Sequence, residues 1–127
     1  MATTLLIDTD VLIDYLRGVQ AAVSYLEARE ERLVLSAVSV AELYAGVREG
    51  RERQALAAFL GAFEVVPVDR AVAERAGLLR RDWGRSHGTG LADALIVATA
   101  EELQAVLVTL NHKHFPMLRG VHVPYRK

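Results

Sequence analysis

Leu5-Leu6-Ile7-Asp8 decides the fold. Three apolar residues in a row, with no polar residue alternating between them, describe a strand covered on both faces, as in a parallel sheet flanked by helices. The run stops at an acid, and Val11, Leu12 and Tyr15 then recur at helical spacing. Working outward, similar runs lie at Leu33 to Val38, Val65 to Val68 and Ala105 to Thr109, with a shorter one at Val121 to Val123. Between them stand the helical patterns Val40, Leu43, Tyr44, Val47; Leu56, Phe59, Leu60; and Val72, Ala76, Leu79. Asp69 is placed to cap a helix running toward Trp83, and Gly84, Gly88 and Gly90 mark the loop expected after it. Leu91 to Leu103 reads as a further helix whose first half is apolar almost all round and therefore central to the core. These alternating units predict one α/β domain over residues 1–127, with a mainly parallel sheet of four to five strands.

Composition narrows the function classes. Of 127 residues, 52% are hydrophobic and 24% charged, which suits a folded globular chain rather than a disordered one. Fifteen basic against sixteen acidic residues leave a net charge of -1, so any nucleic-acid binding must be local. The chain has no cysteine, which removes disulfides, thiolate nucleophiles and cysteine-zinc sites, and fits a reducing cytoplasm. The first residues carry no basic leader, and the apolar run ending at Asp8 is too short for a signal or a membrane span. The expectation is a cytoplasmic protein with no membrane partner.

Three acids stand out. Asp8 ends the first strand at the carboxyl edge of the sheet, where open α/β sheets bind ligands; equally, Asp8, Thr9 or Asp10 caps the following helix. Glu42, three residues after Ser39, completes a capping box, Ser39-Val40-Ala41-Glu42, and that box puts it in the first turn of a helix after an apolar strand. Asp93 sits inside an apolar helix, where an ionised carboxylate costs several kcal/mol unless it is paired, hydrogen-bonded or bound to a cation. Asp10 is open between a cap and a supporting group. Asp14 and the acids in polar company, among them Glu27, Asp82 and Glu101, read as solvated. Brought to one sheet edge, Asp8, Glu42 and Asp93 would repel one another by about 4 kcal/mol per pair at ~4 Å and an effective dielectric near ~20. A divalent cation reverses that sign. Oxygen-only ligands select Mg²⁺ or Mn²⁺ over zinc, and such a site suits phosphodiester hydrolysis.

Four stretches then carry a resemblance over nearly the whole chain: Leu6-Ile7-Asp8-Thr9-Asp10-Val11-Leu12-Ile13-Asp14, Ser39-Val40-Ala41-Glu42-Leu43-Tyr44-Ala45-Gly46, Leu91-Ala92-Asp93-Ala94-Leu95-Ile96-Val97-Ala98-Thr99-Ala100 and Val108-Thr109-Leu110-Asn111-His112-Lys113-His114-Phe115. In this order they resemble the PIN-domain ribonucleases, and more narrowly the VapC-type toxins of type II toxin-antitoxin pairs. The resemblance implies a three-layer α/β/α fold and a Mg²⁺-dependent endoribonuclease that inhibits translation, with Asp8, Glu42 and Asp93 as metal ligands. It also implies a cognate antitoxin whose arm fills the acidic groove, an RNA substrate and a homodimer. Many relatives carry a fourth acid in the last stretch, where this chain has Asn111, with His114 at a position where others can have an acid. Asn111 would supply a neutral oxygen or orient a water beside the three acids, and Thr9, Ser39 and Thr109 would hold the carboxylates by hydrogen bonds.

Arg80, Arg81, Arg85, His87, His112 and Lys113 are the candidate RNA contacts, against the alternative of an ordinary exposed face. His112 and His114 resemble a metal site in composition, but no carboxylate lies close to them in the sequence. Two rival functions are open. A catalytically silent PIN-like module binding RNA or protein is compatible with Asn111. A phosphorylation receiver domain shares the length and early acids, but Asp69 falls at a helix cap and Lys113 is its only candidate lysine.

Overall fold

The five apolar runs become five strands: β1 (Thr4–Ile7), β2 (Arg32–Ser36), β3 (Glu64–Val66), β4 (Val106–Val108) and β5 (Val121–His122). The structure is a computed structural model describing residues 3–127; Met1 and Ala2, part of the stretch read as lacking a leader, lie outside the described residues. All neighbouring strands run parallel, in the order β3-β2-β1-β4-β5, so β1 is central. The helices are α1 (Thr9–Leu16), α2 (Gln20–Glu27), α3 (Ala37–Ala45), α4 (Arg51–Gly61), α5 (Arg70–His87) and α6 (Leu91–Leu103), with a short 3-10 turn at His112–His114.

The pleat explains the unalternated runs. Leu5, Ile7, Leu35 and Val108 point into one core with Val11, Leu12, Leu26, Leu43 and Leu56 from α1 to α4. Leu6, Val34 and Leu107 point the other way, onto Val72, Leu79, Ile96 and Val97 from α5 and α6. Each buried leucine or valine contributes about 1.5–3 kcal/mol, and the middle of the sheet, in β1, β2 and β4, has no face left for water. The result is the three-layer α/β/α arrangement.

Several local boundaries differ from the sequence expectation. The run from Leu33 is strand only to Ser36, which is fully buried and accepts the Val38 amide at 3.0 Å as the N-cap of α3. Ser39 and Glu42 are therefore no capping box: both lie inside α3, Glu42 in its second turn. β3 stops at Val66 because Pro67 has no N–H to extend the ladder. Asp69 caps α5 as expected, accepting the Val72 amide at 2.9 Å. That helix runs through Gly84 to His87 and ends at Gly88, whose φ of 66° suits a residue without Cβ. α2 was not anticipated; only Ala22 and Leu26 of it are buried, too few to mark a helical face.

Candidate active site

Asp8 continues β1 by one residue, its amide donating to the Val108 carbonyl at 2.9 Å, and then turns the chain into α1 as its N-cap. One carboxylate oxygen accepts the Thr9 amide at 2.8 Å and the other accepts the Thr109 hydroxyl at 2.7 Å. Only 6% of Asp8 is exposed. Burial, helped by the neighbouring charges of Asp10 and Asp93, pushes its pKa up to about 7 against the two hydrogen bonds.

Asp10 ties α1 to the loop after β4. Its Oδ1 accepts the Val11 amide at 2.7 Å, while Oδ2 accepts the Leu110 amide at 3.0 Å and the Asn111 side-chain amide at 3.1 Å. Burial raises its pKa too, opposed chiefly by the two backbone amides. Asn111 is thereby exposed at the rim, with its nitrogen toward Asp10.

Across the β1–β2 border, the Thr9 hydroxyl donates to Glu42 Oε1 at 2.7 Å and stands 2.9 Å from the buried Ser39 hydroxyl. Thr9, Ser39 and Thr109 thus each touch a carboxylate or the hydroxyl that holds one. Asp93 comes from the first turn of α6, where its Oδ2 lies 3.6 Å from His114 Nδ1. Burial and the charge of Glu42 raise its pKa, and His114 opposes them.

Three expectations need correction. Asp93 was expected to carry its charge in apolar surroundings, yet its side chain is 31% exposed, because complete burial of α6 begins only beyond its first turn. Asp8 has that property instead. His114 was expected to lack a nearby carboxylate; Asp93, remote in sequence, is beside it. Asp14 was read as solvated but is 2% exposed, accepting the Tyr125 hydroxyl and the Lys127 ammonium, each at 2.9 Å. Burial works against its charge, but those two partners hold its pKa below the ordinary carboxylate value. These contacts join opposite ends of the chain and leave no periodic signal. Asp10, two residues after Asp8, was visible in the sequence, but its bonds to the Asn111 loop were not.

Asp8, Asp10, Glu42 and Asp93 are therefore linked by hydroxyl bridges and by mutual repulsion at the carboxyl edge of β1, β2 and β4. Among the described residues, no three His, Asp or Glu side chains converge on one ion position. The donor set is nevertheless all oxygen apart from His114, and its charge is unbalanced. An acidic sheet edge of this composition can carry a hard cation and an anionic substrate above it.

Comparison with known proteins matches this arrangement. The PIN domain family matches residues 5–118. Ribonuclease VapC10 of Mycobacterium tuberculosis is 44% identical over 124 residues, 95% of this chain and 92% of the relative. Ribonuclease VapC19 of the same organism is 40% identical over 124 residues, 94% of this chain and 98% of the relative. A toxin-antitoxin complex from Klebsiella pneumoniae superposes with a TM-score of 0.84 at 31% identity, covering 97% of this chain and 99% of that one. With the parallel sheet, the acid ending its central strand and the match running through all four motif stretches, the chain belongs to the PIN-domain family, among its VapC ribonucleases.

Proposed function

We propose that this protein is a Mg²⁺-dependent endoribonuclease, the toxin of a toxin-antitoxin pair, which hydrolyses RNA phosphodiester bonds and thereby inhibits translation in the cytoplasm. The observation that carries the reading is Asp8: a nearly buried carboxylate with two neighbouring acids and a pKa pushed up to about 7 is a group waiting for positive charge. Asp8, Glu42 and Asp93 would hold the cation, which Mn²⁺ can replace, and Asn111 would sit beside it. When bound, a hard divalent cation neutralises the acids, polarises phosphoryl oxygens and lowers the pKa of water. The chain's own residues orient the carboxylates: Thr109 fixes Asp8, Thr9 fixes Glu42, and Asp10 anchors the Asn111 loop to α1. His114 holds Asp93 at the mouth of the site.

The proposed partner is a cognate antitoxin, acting on a homodimer of this chain. A groove of about 490 Å³ between α1, α3 and α4 runs from Ile13 and the exposed Leu16 to Glu42, so an apolar antitoxin segment lying there would end at the site. Among the described residues no helix is long and apolar enough to cross a membrane. The test is induced expression followed by genome-wide mapping of RNA ends, for the natural chain and Asp93→Asn. New ends at a restricted set of sites, absent with Asp93→Asn, support the reading; identical end profiles refute it.

A further inference from the structure

We propose that the C-terminal half of α5 is the surface along which the RNA backbone runs as it leaves the acidic site, with Arg80 and Arg85 as its phosphate contacts; this rests on the ribonuclease reading above. The direction of α5 is set by its pairing with α6. Arg75, near the start of α5, bonds Glu101, near the end of α6, at 2.9 Å, and residues 88–90 join the other ends. The two helices are antiparallel, so the last turns of α5 lie beside the first turn of α6, which carries Asp93.

Charge is distributed unevenly along this helix. At the far end Arg75 is matched by Glu101. At the near end, residues 80–87 hold Arg80, Arg81 and Arg85 against Asp82 alone, and Asp82 takes Arg81 at 2.9 Å. Arg80 and Arg85 are exposed and make no ion pair among the described residues. A chain with a net charge of -1 thus keeps two guanidinium groups without ion-pair partners among the described residues on the turns of α5 that lie beside the first turn of α6, where they can meet a polyanion. His87 packs against Trp83 on the same turns, the rings tilted with their centroids 4.9 Å apart.

Gly84 separates this from an ordinary solvated helix face. A glycine inside a helix is unfavourable relative to alanine, and nothing in the backbone here requires one. A Cβ at position 84 would stand 1.7 Å from Arg80 Nη1. The missing side chain leaves room in which the Arg80 guanidinium lies one turn toward the C-terminal end of α5. Gly84→Ala should evict that group without removing its charge, while making the helix itself more favourable.

The experiment measures binding of a short, fluorescein-labelled, random-sequence single-stranded RNA to the full chain carrying Asp93→Asn, by anisotropy across a potassium chloride series. Arg80→Ala and Arg85→Ala should each weaken binding several-fold and lower the slope of log affinity against log salt by about 0.7. Arg81→Ala should change little. Gly84→Ala should weaken RNA binding while raising the melting temperature, and adding Arg80→Ala to it should cost nothing further. Lysine at 80 and 85 should restore the salt slope. Unchanged affinity and slope in Arg80→Ala and Arg85→Ala would overturn the inference and leave the ribonuclease reading intact, even if antitoxin binding changed. Failure of the Asp93→Asn chain to bind RNA at all would overturn both.

Discussion

Thr109 has one hydroxyl and three neighbours: it donates to Asp8, stands 3.3 Å from Asp10 and accepts the Asn111 backbone amide at 3.1 Å. Thr109→Val keeps the shape and removes those bonds. We expect cleavage to fall by about 10–100-fold, as when a ligand loses its orienting partner, with a stability loss of only about 1–2 kcal/mol. Cleavage rates and thermal melts on one preparation separate the two effects. Asp8 also sets a pH dependence. Its folded pKa of about 7 lies above the ordinary 3.8, so between those values the folded chain holds a proton that the unfolded chain releases. Stability from this group is therefore full at low pH and falls as pH rises toward 7, by on the order of a few kcal/mol. In chelator, Asp8→Asn should melt with the natural chain near pH 4 and at or above it near pH 8. A natural chain gaining on the variant across that window would contradict the assignment. Asp14 behaves oppositely: its folded pKa is lowered, so its contribution is present above pH 4 and lost as pH falls through the folded value.

Among the elements, α5 is the clearest to test because single residues act at its start and within its last turns. Asp69→Ala removes the bond to the Val72 amide and should cost about 1 kcal/mol, whereas Gly84→Ala should gain up to about 1 kcal/mol. Chemical denaturation of both variants measures the difference directly. The same helix marks how far sequence reading reaches. β1 was legible because a strand buried on both faces needs no alternation, and the Asp69 cap because its acid directly precedes the helix. The start of α3 was misread because Ser36 and Ser39 are both hydroxyls before an apolar helical run. Which of them caps is decided by the end of the β2 pairing, Ser36 with Val66. Gly84 looked like a loop residue because glycine usually punctuates helices, whereas it lies inside α5 with the end of the Arg80 side chain over it, a matter of side-chain packing. In the candidate site, the identities of Asp8, Glu42 and Asp93 could be picked from their positions after strands or inside an apolar helix. Thr9 and Thr109 hold carboxylates, as the resemblance implied, but which acid each one holds and the approach of His114 to Asp93 could not be read, since these contacts span elements far apart in the chain.

For the whole molecule, the site is rigid to the extent that the sheet beneath it is. Leu107 is fully buried in the strand next to β1, and Leu107→Ala should cost about 2–5 kcal/mol through the cavity it leaves. The carboxylates above that floor push in the opposite sense, which explains how one chain can combine a continuous apolar core with an acidic rim. A cation bound there but absent from the unfolded chain must stabilise the fold in proportion to its occupancy. Mg²⁺ should therefore raise the melting temperature of the natural chain and leave Asp8→Asn and Asp93→Asn unmoved. The most direct test is cleavage of RNA by the purified full chain with Mg²⁺, with excess chelator, and with Asp93→Asn in Mg²⁺. We predict discrete cleavage in the first reaction only, with Asp93→Asn as folded as the natural chain by circular dichroism. Equal cleavage in all three reactions would contradict the carboxylate centre.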